Sequence, residues 1–212
     1  LGLLRQTHMT YLSDPDWPEH DLQLFWGASS MLAPDALLHW TYSEWRHRDP
    51  PPYQKFDPHA PDLTPAKWDY YARISMLGRF GLSQKLPRLP AWLAARITTQ
   101  IGLYQQHVRR FVREADLYRL TDQPRRSGEG ERWAAFQYSL PDKSEHLLFV
   151  FRLPGAAPAR AIRLRDLAPD RLYTIAGLEG EPAQQKLGQA LMDEGLLFDA
   201  LAEQESALLK LT

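Results

Sequence analysis

The chain has 212 residues, of which 44% are hydrophobic and 24% charged, and its formal net charge is −1. This charge balance gives no electrostatic reason to expect nucleic acid or an anionic membrane as a partner. No apolar run approaches the roughly 20 residues of a membrane span, and the lack of cysteine excludes disulfides and thiolate chemistry. We therefore expect a globular, cytoplasmic protein that binds neither nucleic acid nor membrane.

A strand, a polar loop and a helix are predicted near the start of the chain. The run from His8 to Leu12 leads into the loop 13–17, which reads Ser-Asp-Pro-Asp-Trp, and helical spacing of apolar residues follows from Glu19 to about Leu32. In a parallel α/β fold such a loop lies at the carboxyl end of its strand, where active sites are found. Asp14 is therefore the leading candidate for a catalytic residue.

The next stretch predicts two short strands, a long loop and a long helix. Leu37 to Tyr42 is typical of a buried strand, and Ala72 to Gly81 alternates in part, which favours another. Between them, residues 46–66 contain six prolines and exclude a regular element, so they form either the rim of a site or a surface excursion. An apolar stripe from Ile97 to Phe111 predicts a helix that ends near Glu114.

Beyond residue 115 the hydrophobic period changes from helical to strand-like. Arg132 to Leu140 and His146 to Leu153 flank a turn and predict a β-hairpin. Further short strands are predicted at roughly ten-residue spacing, which argues for an antiparallel sandwich: Ala161–Leu167, Leu172–Ala176, Leu187–Leu191, Gly195–Leu201 and Ser206–Leu211. We expect two domains, residues 1–115 and 116–212.

The acidic groups of the first loop allow three interpretations. Hydrolysis of a glycosidic bond needs one carboxylic acid on the leaving oxygen and a second carboxylate across the bond, and Asp14 and Asp16 supply carboxyl groups. They could instead only cap the following helix, or bind a divalent metal together with Glu19 and His20. Aromatic residues, 11% of the chain, suit either a sugar site or a core.

Other chemistries find little support in the sequence. The spacing of His8, His20 and His39 matches no zinc signature, which favours rim or core histidines. Ser13 has no Gly-x-Ser-x-Gly context, so a serine nucleophile is not expected. The segment 127–130 lacks the Lys-Ser/Thr of a phosphate loop. We expect no metal and no cofactor.

Several motifs together resemble glycoside hydrolase family 36, the bacterial α-galactosidases. The first is Ser13-Asp14 followed at the family's spacing by Leu22, Gly27, Ser29 and Pro34. Similar stretches follow in the family's order, over nearly the whole chain: Met76–Gly81, Asp116–Leu120, Leu164–Tyr173 and Gly188–Leu196. One departure is local, because Pro15-Asp16-Trp17 stands where the family reads Asn-Thr-Asp.

The resemblance implies a mixed fold, with the last strands and helices of a (β/α)8 TIM barrel over residues 1–115 and an antiparallel β-sandwich over 116–212. It implies a retaining α-galactosidase that hydrolyses terminal α-galactosides in oligosaccharides, with Asp14 as general acid/base. Ser13, Asp16 and Trp17 would lie beside the substrate, and the full-length enzyme could form a homo-oligomer.

The resemblance also implies that the nucleophile lies upstream of this chain. We therefore expect the carboxyl-terminal portion of a longer enzyme, inactive by itself. The alternatives are a non-catalytic carbohydrate-binding or structural sandwich module, and a transglycosylase on the same scaffold.

Overall fold

The structure is a computed structural model that describes residues 6–12, 18–41, 56–180 and 183–212. The chain divides into two compact units, Leu1–Val112 and Arg113–Thr212. Eight of the eleven strands in the described residues lie in antiparallel sheets. The two units are taken in turn below.

The first unit is built on a small parallel sheet. Its strands are β1 (Thr10–Tyr11), β2 (Leu37–Trp40) and β3 (Arg79–Gly81), adjacent in that order. In the register, Thr10 lies opposite Leu37, and Leu38 lies opposite Arg79. The expectation for residues 1–115 was the last strands and helices of a (β/α)8 barrel. The described residues show an open sheet of three parallel strands and no barrel, whose closure needs eight strands.

Two helices accompany the sheet: α1 (Pro18–Ala28) follows β1, and α2 (Pro65–Ser75) precedes β3. At the start of α2, Thr64 accepts a hydrogen bond from the backbone N–H of Lys67, and Pro65 occupies the first turn. The strand predicted from Ala72 to Gly81 is therefore wrong up to Ser75. Every residue from Trp68 to Ser75 is buried, so no amphipathic period marks the helix.

The long helix predicted from the stripe at Ile97 to Phe111 is confirmed, with one irregularity. It comprises α3 (Ala91–Leu103), a π-helical turn (Tyr104–Val108) and α4 (Arg109–Glu114). A π-helical turn adds one residue to a helical repeat. The spacing of the apolar residues did not predict this turn.

The second unit holds two antiparallel sheets. Its strands are β4 (Asp116–Arg119), β5 (Trp133–Ser139), β6 (His146–Arg152), β7 (Arg160–Ile162), β8 (Leu172–Gly177), β9 (Gln184–Leu187), β10 (Leu196–Phe198) and β11 (Glu205–Leu211). The larger sheet has the order β4-β5-β6-β11-β8-β9, and β10 pairs with β7 in the smaller one. The hairpin predicted around residues 141–144 is confirmed as β5 and β6.

One apolar core is shared by the two sheets of this unit. Trp133 and Val150 from the larger sheet pack with Ile162 and Leu196 from the smaller one, and all four are buried. The indole N–H of Trp133 donates to the carbonyl of Ala157 across 3.1 Å, so its polar atom is satisfied. This arrangement is the predicted antiparallel sandwich.

The strand predicted for Leu187 to Leu191 is wrong. β9 ends at Leu187, and the short helix α5 (Gly188–Asp193) begins at the next residue. A side chain at position 188 would overlap the carbonyl oxygen of Ala168, so glycine permits a close approach of two backbones there.

Candidate functional site

The predicted catalytic loop lies outside the described residues. Ser13, Asp14, Asp16 and Trp17 all fall in the gap between Leu12 and Pro18. What the structure describes is the surrounding frame, since β1 ends at Tyr11 immediately before the loop and α1 begins immediately after it.

At the carboxyl ends of the parallel strands, aromatic rings and polar groups lie side by side. The rings of Tyr11 and Trp40 meet edge to face, with centroids 6.0 Å apart. A Cβ added to Gly81 would come within 2.6 Å of the Trp40 indole, so the glycine leaves room for this ring. Next to them, Thr41 Oγ1 donates to Gln84 Oε1 across 2.7 Å. Such surfaces can stack on a sugar and donate or accept hydrogen bonds.

His39 on β2 points into the core. It is buried, its ring meets Phe25 edge to face at 5.5 Å, and within the described part of the chain neither ring nitrogen has a hydrogen-bond partner. Burial lowers the pKa of His39 to about 4, against a smaller opposing effect of the Ile74 backbone. His39 is therefore a neutral core histidine.

The described residues provide no metal site. Residues 6–12, 18–41, 56–180 and 183–212 contain no group of three or more His, Asp or Glu side chains that could hold an ion. His8 is exposed, whereas His39 is buried. The interpretation of the Asp-x-Asp loop as a metal ligand involves residues outside these ranges and stays untested.

Directly after the loop lies Glu19, whose burial and hydrogen bonding are not evident from the sequence. Glu19, the second residue of α1, is 6% exposed and accepts a hydrogen bond from the phenol of Tyr70 on α2 across 3.1 Å. Burial, followed by the charges of Glu19 and Asp62, raises the pKa of the neighbouring Tyr71. Because 51 residues separate Glu19 from Tyr70, no local pattern could reveal their pairing.

Comparison with known families defines the class of the second unit. Residues 133–211 match the family model described as the glycosyl hydrolase family 36 C-terminal domain. The second unit is thus similar to the C-terminal domain of that family. The family resemblance carried by the motifs from Ser13 onward is confirmed.

Solved structures with a similar fold include several α-galactosidases. The galactosidase domain of the α-galactosidase–sucrose kinase AgaSK is 22% identical with a TM-score of 0.78, covering 100% of this chain and 27% of its own. The family 36 α-galactosidase AgaB from Geobacillus stearothermophilus is 24% identical with a TM-score of 0.77, and the match covers 100% of this chain and 26% of AgaB. The α-galactosidase from Lactobacillus brevis is 14% identical with a TM-score of 0.69, and the match covers 94% of this chain and 25% of that enzyme.

These likenesses establish the fold, and the chain spans about a quarter of the length of the structures it matches. Among curated proteins no relative matches. None of the helices in the described residues is long and apolar enough to cross a membrane.

Proposed function

We propose that this chain is the carboxyl-terminal portion of a retaining glycoside hydrolase that resembles α-galactosidase and acts on terminal α-galactosides of oligosaccharides. One observation carries the proposal. The whole chain has the fold of solved family 36 α-galactosidases, and its second unit matches the family model. The nucleophile would belong to a part of the longer protein that precedes these residues.

In this proposal Asp14 is the general acid/base. Active-site loops follow the carboxyl ends of parallel strands, and Asp14 is the third residue after β1. As an acid it would protonate the departing glycosidic oxygen, and as a base it would then deprotonate the water that releases the glycosyl-enzyme. Ser13, Asp16 and Trp17 would contact the sugar, and further parallel strands of the longer protein would complete a (β/α)8 barrel around β1, β2 and β3.

The two roles of Asp14 are tested in the longer protein with Asp14→Ala. Asp16→Ala is the comparison variant, which should lose a sugar contact but retain the acid/base steps. Asp14→Ala should abolish hydrolysis of natural galactosides but still form the glycosyl-enzyme from activated aryl galactosides, whose leaving groups need no protonation. Azide should then rescue turnover and give an α-configured glycosyl azide. A β-configured azide would assign Asp14 as nucleophile, and full activity on a natural galactoside would leave it a capping role.

The 212-residue chain alone should hydrolyse no aryl α-galactoside measurably. A retaining mechanism needs two carboxyl groups about 5 to 5.5 Å apart, and the second would come from outside this chain. This proposal would be contradicted if the 212-residue chain turned over the substrate and if that activity were lost in Asp14→Ala but kept in Asp16→Ala.

A non-catalytic carbohydrate-binding or structural module is the second candidate, favoured by the confinement of the family match to residues 133–211. Calorimetry of the chain with galactose and raffinose distinguishes the two, because such a module would bind sugar without Asp14. Product analysis of the longer protein would separate hydrolysis from transglycosylation. A cytoplasmic location and a homo-oligomeric full-length enzyme stay predictions.

A further inference from the structure

A buried polar network lies at the end of the β5–β6 hairpin in the second unit. Ser139 and His146 are cross-strand partners, both buried, with Ser139 Oγ 2.7 Å from His146 Nδ1. Gln137 donates to Ser139 Oγ across 2.9 Å and to the Arg165 carbonyl across 2.7 Å, and it accepts from the Arg165 N–H. The imidazole is therefore fixed in place on one side by a network of neutral groups.

On its other side His146 lies next to the connection between β5 and β6, the 140–145 turn. Arg171 holds this turn by donating to the carbonyls of Lys143 and Ser144, at 3.1 and 3.2 Å. Lys143 has a φ of 54°, in the left-handed region, and its Nζ lies 2.5 Å from Asp166 Oδ1. Tyr118 on β4 donates to the other carboxylate oxygen of Asp166 across 2.8 Å. The turn thus depends on two cations and one carboxylate.

The same charges surround His146. The Arg171 guanidinium lies 4.9 Å above the Tyr173 ring, and that ring meets the His146 imidazole edge to face at 5.4 Å. Asp166 is the nearby anion and Lys143 the second nearby cation. Glu145 and Lys210 pair with each other across 2.8 Å; strand alternation directs them to the opposite face of the sheet from His146.

This environment favours the neutral imidazole. Burial first, and the positive charge of Arg171 second, lower the pKa of His146 to about 4, while the Lys143 backbone and Asp166 act in the opposite direction. Lys143 and Tyr118 hold the pKa of Asp166 below its usual value, so the carboxylate stays charged while His146 titrates.

We propose that His146 is the sensor of an acid-released latch formed by Arg171 and the 140–145 turn. Protonation of the imidazole places a third cation beside Arg171 and Lys143, and the turn then leaves Arg171 while the centre of the sheet stays paired. This regulatory device belongs to the sandwich domain and is independent of the proposed glycosidase activity.

The expected pH dependence follows from proton linkage. An imidazole released from the closed latch regains an ordinary pKa near 6.5, so the open form binds the proton more tightly than the closed form. Opening should increase as the pH falls below 6.5, by up to about tenfold per pH unit, and should level off near pH 4.

The test is hydrogen exchange of single backbone amides in the 212-residue chain between pH 7 and 4, corrected for the intrinsic rate. The Lys143 N–H, which donates to Leu140 within the turn, reports the latch. The Phe149 N–H in the middle of β6 reports the sheet. Protection of Lys143 should fall about 20-fold from pH 7 to pH 5, and that of Phe149 should fall far less.

His146→Gln should remove this pH dependence, and His107→Gln, which changes an exposed histidine of the other unit, should leave it intact. If His146→Gln does not fold, Arg171→Met provides the second variant. It removes the facing cation, so the turn should open more readily at pH 7 but with a smaller acid response. Equal loss of protection at Lys143 and Phe149, or an unchanged response in His146→Gln, would overturn the latch.

Discussion

The phenol of Tyr70 on α2 donates a hydrogen bond to Oε1 of Glu19 on α1 across 3.1 Å, and both side chains are buried. A buried carboxylate is stable only where donors replace the water it has lost. This contact therefore joins the helix that begins after the predicted catalytic loop to the helix that precedes β3.

We predict that Tyr70→Phe lowers the free energy of unfolding of the first unit by about 1 to 3 kcal/mol, because one donor to a buried carboxylate is lost. Glu19→Gln retains an acceptor and should cost less. Urea unfolding of both variants and of the double variant forms a double-mutant cycle. A coupling below about 0.5 kcal/mol would show that the two side chains contribute independently.

A second prediction concerns Asp69 on α2, which is buried and accepts hydrogen bonds from the guanidinium of Arg96 and, across 3.0 Å, from Gln100 Nε2. Both partners lie on α3. Asp69→Ala should lower the free energy of unfolding by about 3 to 5 kcal/mol, since Asp69 also lies 4.0 Å from the buried guanidinium of Arg73, which would lose its counter-charge.

Asp62→Ala is the matched control for Asp69. Asp62 also pairs with a basic residue, Lys67, at 2.6 Å, but its side chain is 70% exposed. Solvent screens such a pair, so the control variant should unfold at the same urea concentration as the unmodified chain. Equal losses in both variants would mean that the Asp69 cluster is no more important than a surface ion pair.

The parts of the fold that the sequence predicts are those with a local period. The stripe from Ile97 to Phe111 identifies the long helix, and the runs on either side of residues 141–144 identify the hairpin. The segment 72–75, predicted as part of a strand, is the end of α2, and the burial of every residue in it removes the contrast between faces. The boundary between β9 and α5 depends on the close approach of the Gly188 backbone to the Ala168 carbonyl, which no local pattern encodes.

In the candidate site, too, some features are predictable from the sequence and others are not. Asp14 follows from the succession of strand, polar loop and helix, together with the Ser13-Asp14 resemblance, and its role stays a prediction. By contrast, the pairs Glu19–Tyr70 and Tyr118–Asp166 join residues 51 and 48 positions apart. Only the folded arrangement brings such residues together, so no local pattern in the sequence reveals these pairs.

Two glycines in helices should respond oppositely to alanine. A Cβ at Gly102 in α3 would meet nothing within 4 Å, so Gly102→Ala should stabilise the chain by up to about 1 kcal/mol through helix propensity. Gly188→Ala at the start of α5 would force a methyl group against the Ala168 carbonyl and the Tyr173 ring, and should destabilise the sandwich. Thermal unfolding measures both effects, and a stabilised Gly188→Ala would show that the backbones can separate.

The last prediction concerns acid and the first unit. Burial lowers the pKa of His39 to about 4, below the ordinary value of 6.5. Between these two pH values the imidazole is protonated in the unfolded chain and neutral in the folded chain. The stability that the neutral imidazole contributes is complete above pH 6.5 and declines as the pH falls to about 4, with a total loss of up to about 3 kcal/mol.

Hydrogen exchange of α2 amides, such as that of Trp68, follows this loss within the first unit. His39→Leu retains a buried apolar side chain beside Phe25 without a titrating group, so it should flatten the decline between pH 6.5 and 4. His59→Gln, at an exposed position of the same unit, should leave the decline as it is. An equally steep decline in His39→Leu would assign the acid sensitivity to other groups, because this substitution removes no titrating group except the His39 imidazole.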